Sequence, residues 1–250
     1  MVAPKGDNVT LAAGFSLSTF ADAFRFLWDD RSFVATKALE QVQLSATAIG
    51  IAAAIALPLG VWLGHIHRGS FLAINISNLG RALPSLAVIS VGLPFFGIGH
   101  TVVILALVVL AAPLILTNSY VAVDGIDEDI VEAARGMGLS PTQVLVRVEL
   151  PLALPLIFAG IRTAAVYVVA TATLAGVVGG GSLGDIIFNQ PTYFLSGVVG
   201  AAIVVSLLAF AADFTFAGLQ RLLTPRGLRY VDTAQQPEQE PPSVLEAAAA

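Results

Sequence analysis

Three ionisable side chains lie inside long apolar stretches of the sequence: Arg81, Arg162 and Asp213. A charge within a lipid bilayer is costly unless it is paired or hydrated, so such residues are candidates for ion pairs or transport pathways. We expect Asp213 to pair with Arg81 or Arg162, within the helix bundle or at a subunit interface. Alternatively, Arg162 and Asp213 extend toward the inner lipid headgroups and form no pair.

The sequence lacks the residue clusters that catalysis or cofactor binding would need. It has no cysteine, which excludes a thiolate metal site. His65 and His67 are two residues apart at a predicted helix end and therefore face different directions, which argues against a shared metal site. The glycine-rich run at residues 179–184 lacks the lysine and Ser/Thr of a phosphate-binding loop, and predicts a flexible external connection or simple turns. We predict no catalytic residue, cofactor or metal site, and no nucleic-acid partner.

The only strongly charged interior stretch, residues 124–151, has the pattern of two short helices joined by a tight turn. In the first helix, apolar residues recur at helical spacing from Ile126 to Met137. Acidic residues gather at its N-terminal end, where the helix dipole favours anions. Gly138 stands where a left-handed residue commonly ends a helix. The first helix is therefore predicted to end near Gly138.

The second predicted helix starts with Ser140-Pro141-Thr142-Gln143. This sequence supplies an N-cap, a proline at the first helical position and a glutamine at the third, which together form a capping box. The three apolar residues Val144, Leu145 and Val148 follow on one face. Pro151 and Pro155 are expected to limit this helix before the next apolar stretch.

Composition indicates that lipid is the solvent for most of the chain. Of 250 residues, 56% are apolar and only 12% are charged, whereas soluble domains contain about 25% charged residues. A helix needs about 20 apolar residues to cross a bilayer. We therefore predict an all-α, polytopic membrane protein with about five spans, the second of which is either one kinked helix or two shorter pieces. The predicted spans are residues 44–64, 71–97, 101–123, 155–178 and 194–219.

Basic residues predict the orientation, since short loops rich in lysine and arginine stay in the cytoplasm. The turn at residues 65–68, the 124–151 segment and the residues after 220 all carry such charges. Five crossings with the N-terminus outside and the C-terminus in the cytoplasm satisfy this rule, and one kinked crossing at residues 71–97 fits it better than two. We divide the chain into a flanking arm (1–40), a transmembrane domain (41–222) and a tail that is predicted to be disordered (223–250).

The charged segment resembles a known signature. Glu132-Ala133-Ala134, Gly138 and Val148-Glu149-Leu150-Pro151 match the EAA pattern of binding-protein-dependent ABC importer permeases in every spacing. The only departure is Val148, where isoleucine is usual. The resemblance implies a type I ABC importer permease fold, in which this loop forms coupling helices. The residues that it assigns to ATPase coupling are Glu132, Ala133, Ala134, Gly138, Val148, Leu150 and Pro151.

The resemblance also implies partners. These are a cytoplasmic ABC ATPase subunit, a second permease protomer that is identical or homologous, an extracytoplasmic substrate-binding protein and the lipid bilayer. The expected location is the bacterial inner membrane. Since the chain has no phosphate-binding loop of its own, ATP must be hydrolysed by another polypeptide.

Further stretches, such as Leu83-Pro84-Ser85-Leu86-Ala87 and residues 180–184, resemble the osmoprotectant branch, which imports glycine betaine, choline, carnitine or proline. The methionine-type importers share the architecture and remain an alternative. A proton-coupled secondary carrier is a third possibility, for which a buried carboxylate relay and repeat symmetry are the expected marks. Asp213 is a lone carboxylate, and an intramembrane enzyme would need several converging groups.

Overall fold

The computed structural model describes residues 17–67, 75 and 83–224. Within these residues the chain is helical, and no strand is present. A π-helical turn spans Leu145–Glu149, and a 3-10 stretch spans Ala172–Val178. The α-helices in this part of the chain are α1 (Leu17–Asp29), α2 (Arg31–His65), α3 (Ser85–Phe96), α4 (His100–Asp124), α5 (Glu128–Gly136), α6 (Pro141–Val144), α7 (Leu150–Thr171), α8 (Gly184–Ile187) and α9 (Gln190–Leu223).

Four helical stretches in the described residues are long and apolar enough to cross a membrane: α2, α4, the continuous run Pro141–Val178, and α9. They correspond to four of the five predicted spans. Helix α3 is apolar but has only 12 residues, which rise about 18 Å and do not reach across about 30 Å of hydrocarbon. It covers the end of the predicted span 71–97. Most of the remainder of that span lies outside the described residues, so a single kinked crossing there stays a prediction.

Helices α2 and α4 pack backbone to backbone through two small residues. A Cβ added at Gly60 would lie 2.6 Å from the carbonyl oxygen of Leu116, and one at Gly64 would lie 2.8 Å from that of Tyr120. Glycines four residues apart allow this close approach within a membrane, where van der Waals packing replaces the hydrophobic effect as the main attraction between helices. Helix α4 lies at the centre of the bundle, because Gly160 of α7 packs against its other side.

The N-terminal side of α2 does not separate into an arm and a span. Helix α2 is continuous from Arg31 for 35 residues, so the predicted boundary at residue 40 falls within it. Helix α1 folds back and packs on α9, where Gly200 lies against Leu27 and the backbone of Ala23. Helix α1 is therefore part of the packed structure.

The expected stop at Pro151 and Pro155 is wrong. The helix that begins at Pro141 continues without a break through the π-helical turn and α7, as one long apolar run. Pro151 stands at the start of α7, where its missing N–H costs little, and the wider winding of the preceding π-turn accommodates its ring. Pro155 lies inside α7, as membrane helices allow when neighbours satisfy the backbone. Its own carbonyl accepts a hydrogen bond from Gln220 Nε2 at 3.1 Å.

The connection between α7 and α9 is packed rather than flexible, which also corrects the sequence-based expectation. Gly179 and Gly181 form turns at a φ of +64°, and Leu183 is completely buried. The Leu183 backbone N–H donates to Gln41 Oε1 at 3.1 Å, and Gln41 Nε2 donates to the Val169 carbonyl at 2.9 Å. A buried glutamine of α2 therefore fixes this connection to the bundle, and only the turn-forming role predicted for the glycines is confirmed.

Candidate functional site: a capped helical hairpin and an intramembrane ion pair

Residues 125–148, which we call the hairpin, leave the bundle after α4 and return to it at α7. Its first helix, α5, is capped by Asp127, whose side chain accepts a hydrogen bond from the Asp129 N–H at 3.0 Å. It ends in a Schellman motif. The Gly138 N–H donates to the Arg135 carbonyl at 2.9 Å, and the Leu139 N–H donates to the Ala134 carbonyl at 3.3 Å. Gly138 has a φ of +88°, which confirms the predicted left-handed cap.

The second helix of the hairpin starts as its sequence predicts. Ser140 occupies the N-cap position and Pro141 the first helical position. The Ser140 backbone N–H donates to Gln143 Oε1 at 2.9 Å, and the Ser140 side chain faces the backbone of Gln143 in return. This capping box fixes the angle at which the chain enters α6.

The hairpin has a small apolar core of its own. Val131, Ala134 and Val144 are buried in it, and Leu139 and Val148 pack against them. Only 2% of the Ala134 surface is exposed. The second alanine of Glu132-Ala133-Ala134 therefore sets the distance between α5 and α6 and is not available to a partner.

The opposite side of α5 is open. Ile130, Ala133 and Met137 lie one helical turn apart on it, and 75% of the Met137 surface is exposed. Glu132 is also exposed, next to Ala133. We call these four residues the exposed face of α5. The helical spacing that predicted α5 included Ile130 and Met137, yet sequence reasoning did not show that both point away from the packed side.

The other predicted coupling residues form the base of the hairpin. Val148 packs on the hairpin core, whereas Leu150, at the start of α7, packs on the main core of the bundle. Pro151 is half-buried next to it. The seven residues assigned by the resemblance thus separate into an exposed pair, Glu132 and Ala133, and a set that shapes the hairpin and attaches it to α7.

Two of the three ionisable residues noted within apolar stretches form an ion pair. Arg162 of α7 donates two hydrogen bonds to Asp213 of α9: Nε to Oδ1, and Nη2 to Oδ2 at 2.6 Å. A bidentate pair of this kind is both stronger and geometrically more specific than a single charged contact. Asp213 is thus paired with one of its two predicted partners, so the unpaired alternative does not apply. Arg81 lies outside the described residues.

Two histidine contacts were not anticipated from the sequence. His65 Nδ1 lies 2.6 Å from Glu149 Oε2, and His67 Nδ1 lies 3.0 Å from Asp124 Oδ1. The two side chains do face different directions, as their spacing indicated. The sequence gives no signal for the partners, because His65 and Glu149 are 84 residues apart.

Long apolar helices with a capped hairpin between two of them are typical of a multi-pass membrane protein, and the resemblance of the hairpin to the EAA signature implies a transport function. Residues 56–227 match the family described as binding-protein-dependent transport system inner membrane component, and the chain belongs to that family. It is therefore a multi-pass inner-membrane permease, which agrees with the resemblance stated above.

Curated relatives of the chain are permease proteins. It is 37% identical over 210 residues to the choline transport system permease protein OpuBB of Bacillus subtilis, covering 82% of this chain and 95% of that protein. It is 39% identical over 189 residues to the carnitine transport permease protein OpuCB of Listeria monocytogenes, covering 75% and 86%. A solved structure of the MetNI methionine ABC transporter, inward facing, matches with a TM-score of 0.66 at 24% identity. That match covers 84% of this chain and all of the solved one, and it shows the fold: a type I ABC importer permease.

Proposed function

We propose that this chain is the permease subunit of an ATP-driven importer and that its hairpin receives the movement of a separate ATPase. The exposed face of α5 carries this proposal. Apart from Glu132 it is an apolar surface, small at Ala133, on a hairpin whose own core is already filled by Ala134 and Val144. An exposed apolar face on a well-packed element marks a site of protein–protein contact.

The construction of the hairpin suits the transmission of force. The Schellman motif, the capping box and the apolar core hold α5 and α6 in one arrangement. Its two ends continue into α4 and α7, which pack against each other at the centre of the bundle. A push on α5 therefore moves both spans, and rearrangement of packed helices is the usual basis of alternating access.

The solute that we propose is a small quaternary-ammonium osmoprotectant of the choline, carnitine and glycine betaine class. The support is the 36–39% identity to permease proteins that are named for these solutes. A methionine-type importer has weaker support, since the likeness to the methionine transporter concerns the fold. We assign most of the selectivity to a separate binding protein, where aromatic faces can surround a quaternary amine.

We also propose that the hairpin lies in the cytoplasm and that two permease protomers, identical or homologous, form the path. The contact between His65 and Glu149 places the C-terminal end of α2 on the hairpin side. The N-terminal end of α2 then lies outside, as the basic residues predict. We further propose a transmembrane domain that ends at residue 222 and a tail of residues 223–250. The first helix of this domain is α2, which begins at Arg31 and therefore includes the end of the predicted arm (1–40).

The test is uptake of labelled choline, carnitine, glycine betaine and proline into proteoliposomes that contain this chain, its ATPase and its binding protein. The parent should import at least one of these solutes only when ATP is present. Ala133→Gln, which adds bulk on the exposed face of α5, should abolish uptake. Ala35→Gln is the matched control, because Ala35 is an exposed alanine near the other end of α2. Uptake without ATPase or nucleotide would replace the importer proposal with a secondary carrier.

A further inference from the structure

The end of α2 contacts both ends of the hairpin. His65, the last residue of α2, meets Glu149, which closes the π-turn just before α7. His67, two residues later, meets Asp124, the last residue of α4. Asp124 and Glu149 flank the hairpin directly, since it comprises the residues between them. One short segment of chain thus touches the points at which the hairpin leaves the bundle and returns to it.

Local geometry explains how two neighbouring histidines reach separate partners. Gly64 brings α2 against α4, because a Cβ there would lie 2.8 Å from Val123 Cβ, one residue before Asp124. His67 has a φ of +49°, in the left-handed region that a residue other than glycine rarely adopts. This backbone reversal directs His67 toward α4 while His65 still points toward α7. Positive φ at a bulky residue persists only where the surroundings enforce it.

The two contacts differ in their surroundings. Glu149 is 1% exposed, and its side-chain atom Oε1 has no hydrogen-bond partner within the described residues. A carboxylate that is buried so completely needs its one partner, because an unpaired charge away from water is strongly unfavourable. His67 and Asp124 are 40% and 34% exposed, so their contact is weaker and mainly fixes position.

We propose that His65, His67, Asp124 and Glu149 form a histidine clamp that makes α2 move together with the hairpin. The hairpin continues covalently only into α4 and α7, whereas α2 has no such connection to it. The clamp supplies that connection. None of its four residues lies on the exposed face of α5, so they act as positioning residues. This inference rests on the proposed function, because the clamp would carry ATPase-driven movement of the hairpin into α2.

The first test removes the buried half of the clamp. The double variant His65→Leu/Glu149→Leu leaves no buried charge behind, and apolar replacement of both members of a buried pair is often tolerated. We expect it to assemble with the ATPase and hydrolyse ATP, but to use about 5-fold or more ATP per solute imported, the lower end of typical coupling between sites. Glu149→Gln keeps a hydrogen-bonding group opposite His65 and should retain the parental ratio.

The second test addresses the exposed half and does not depend on the buried pair. His67→Ala removes one contact at the surface, and we expect it to raise the ATP-to-solute ratio as well. Asp22→Asn is the control, since it removes an exposed ion pair with Arg25 on α1, away from the hairpin. A parental ratio in both His67→Ala and the double variant would overturn the clamp. If the double variant fails to assemble, the ratio of His67→Ala decides alone.

A distance measurement keeps the clamp testable even if none of the tested solutes is imported. The chain has no cysteine, so spin labels can be placed at two introduced ones, Leu59→Cys on α2 and Glu128→Cys on α5. With the ATPase bound, the parent should give the same narrow distance distribution with and without ATP. The double variant and His67→Ala should give wider or ATP-dependent distributions. Equally narrow, unchanged distributions in all three proteins would refute the clamp, whereas absence of ATP-driven uptake in the parent would refute the proposed function alone.

Discussion

Ala133 and Ala134 are adjacent, but Ala133 is exposed and Ala134 is buried. Substitution by glutamine should therefore impair folding of the hairpin at position 134 and docking of the ATPase at position 133. Ala134→Gln puts an amide into the apolar core between α5 and α6. Overpacking costs about 1–3 kcal/mol and a buried polar group without a partner costs about 1–3 kcal/mol. The two lower limits together give about 2 kcal/mol, which raises the open population of the hairpin about 30-fold, since 1.4 kcal/mol corresponds to a factor of ten.

Limited proteolysis measures that population. Arg135 is exposed within α5, but trypsin needs a locally unfolded chain, so the cleavage rate follows the open fraction when opening is fast. Ala134→Gln should therefore be cut at Arg135 about 30-fold faster than the parent. Ala133→Gln is exposed and should change the rate about twofold or less, as surface substitutions do.

Binding of the ATPase subunit should depend more on Ala133 than on Ala134, the reverse of the cleavage rates. Ala133→Gln should weaken binding of the ATPase subunit about tenfold or more, as expected for a residue at the centre of an interface. The dissociation constant of the purified complex measures this effect. Ala35→Gln is the control, because it makes the same exchange at an exposed position away from the hairpin. Equal tryptic rates for the two variants, or unchanged ATPase affinity in Ala133→Gln, would refute the division between a buried and an exposed alanine.

Three further predictions concern the bundle. Gly60→Ala should lower the thermal unfolding midpoint by about 2–12 °C, because the new Cβ collides with α4. Gly50→Ala is the control in the same helix, where a Cβ has nothing within 4 Å, and it should leave the midpoint equal or higher. Equal losses in both variants would exclude the close contact between α2 and α4. Asp213→Asn should reduce assembly with the ATPase, measured by co-purification, because it breaks the ion pair with Arg162. The exchange Arg162→Asp/Asp213→Arg should recover part of that assembly. Full assembly of Asp213→Asn would show that the pair is dispensable. Gly181→Ala should destabilise the α7–α9 connection, because Gly181 has a positive φ and a Cβ there would lie 2.6 Å from Glu40 Oε2. The expected result is faster hydrogen exchange in this connection, and unchanged exchange would contradict the packing.

The features that sequence reasoning predicted well depend on residues close together in the chain. The cap at Gly138 and the capping box from Ser140 to Gln143 need only three or four neighbouring residues, so their chemistry is visible in the sequence. Four predicted spans are likewise observed as long apolar helices, because each satisfies its backbone within itself. The EAA spacing lies in the segment that forms the hairpin, but it does not indicate which of the two alanines is buried.

The features that were missed depend on distant residues. Gln41 is bonded to Leu183 across 142 positions, and nothing near either residue indicates that the α7–α9 connection is fixed. The partners of His65 and His67 are hidden for the same reason. The continuation of the helix through Pro151 was missed because it requires a π-turn, whose wider winding has no simple sequence signature.

Helix α2 is a single element that is long enough to reach both faces of a membrane. Its 35 residues rise about 52 Å, well beyond about 30 Å of hydrocarbon. At one end Lys37 binds Asp185 of the α7–α9 connection at 2.8 Å, and at the other end His65 binds Glu149. Under the proposed function, this helix couples the nucleotide site on one side to the binding-protein site on the other, and such coupling is reciprocal. Any factor by which bound nucleotide changes the affinity for the loaded binding protein must equal the factor by which that protein changes the affinity for nucleotide.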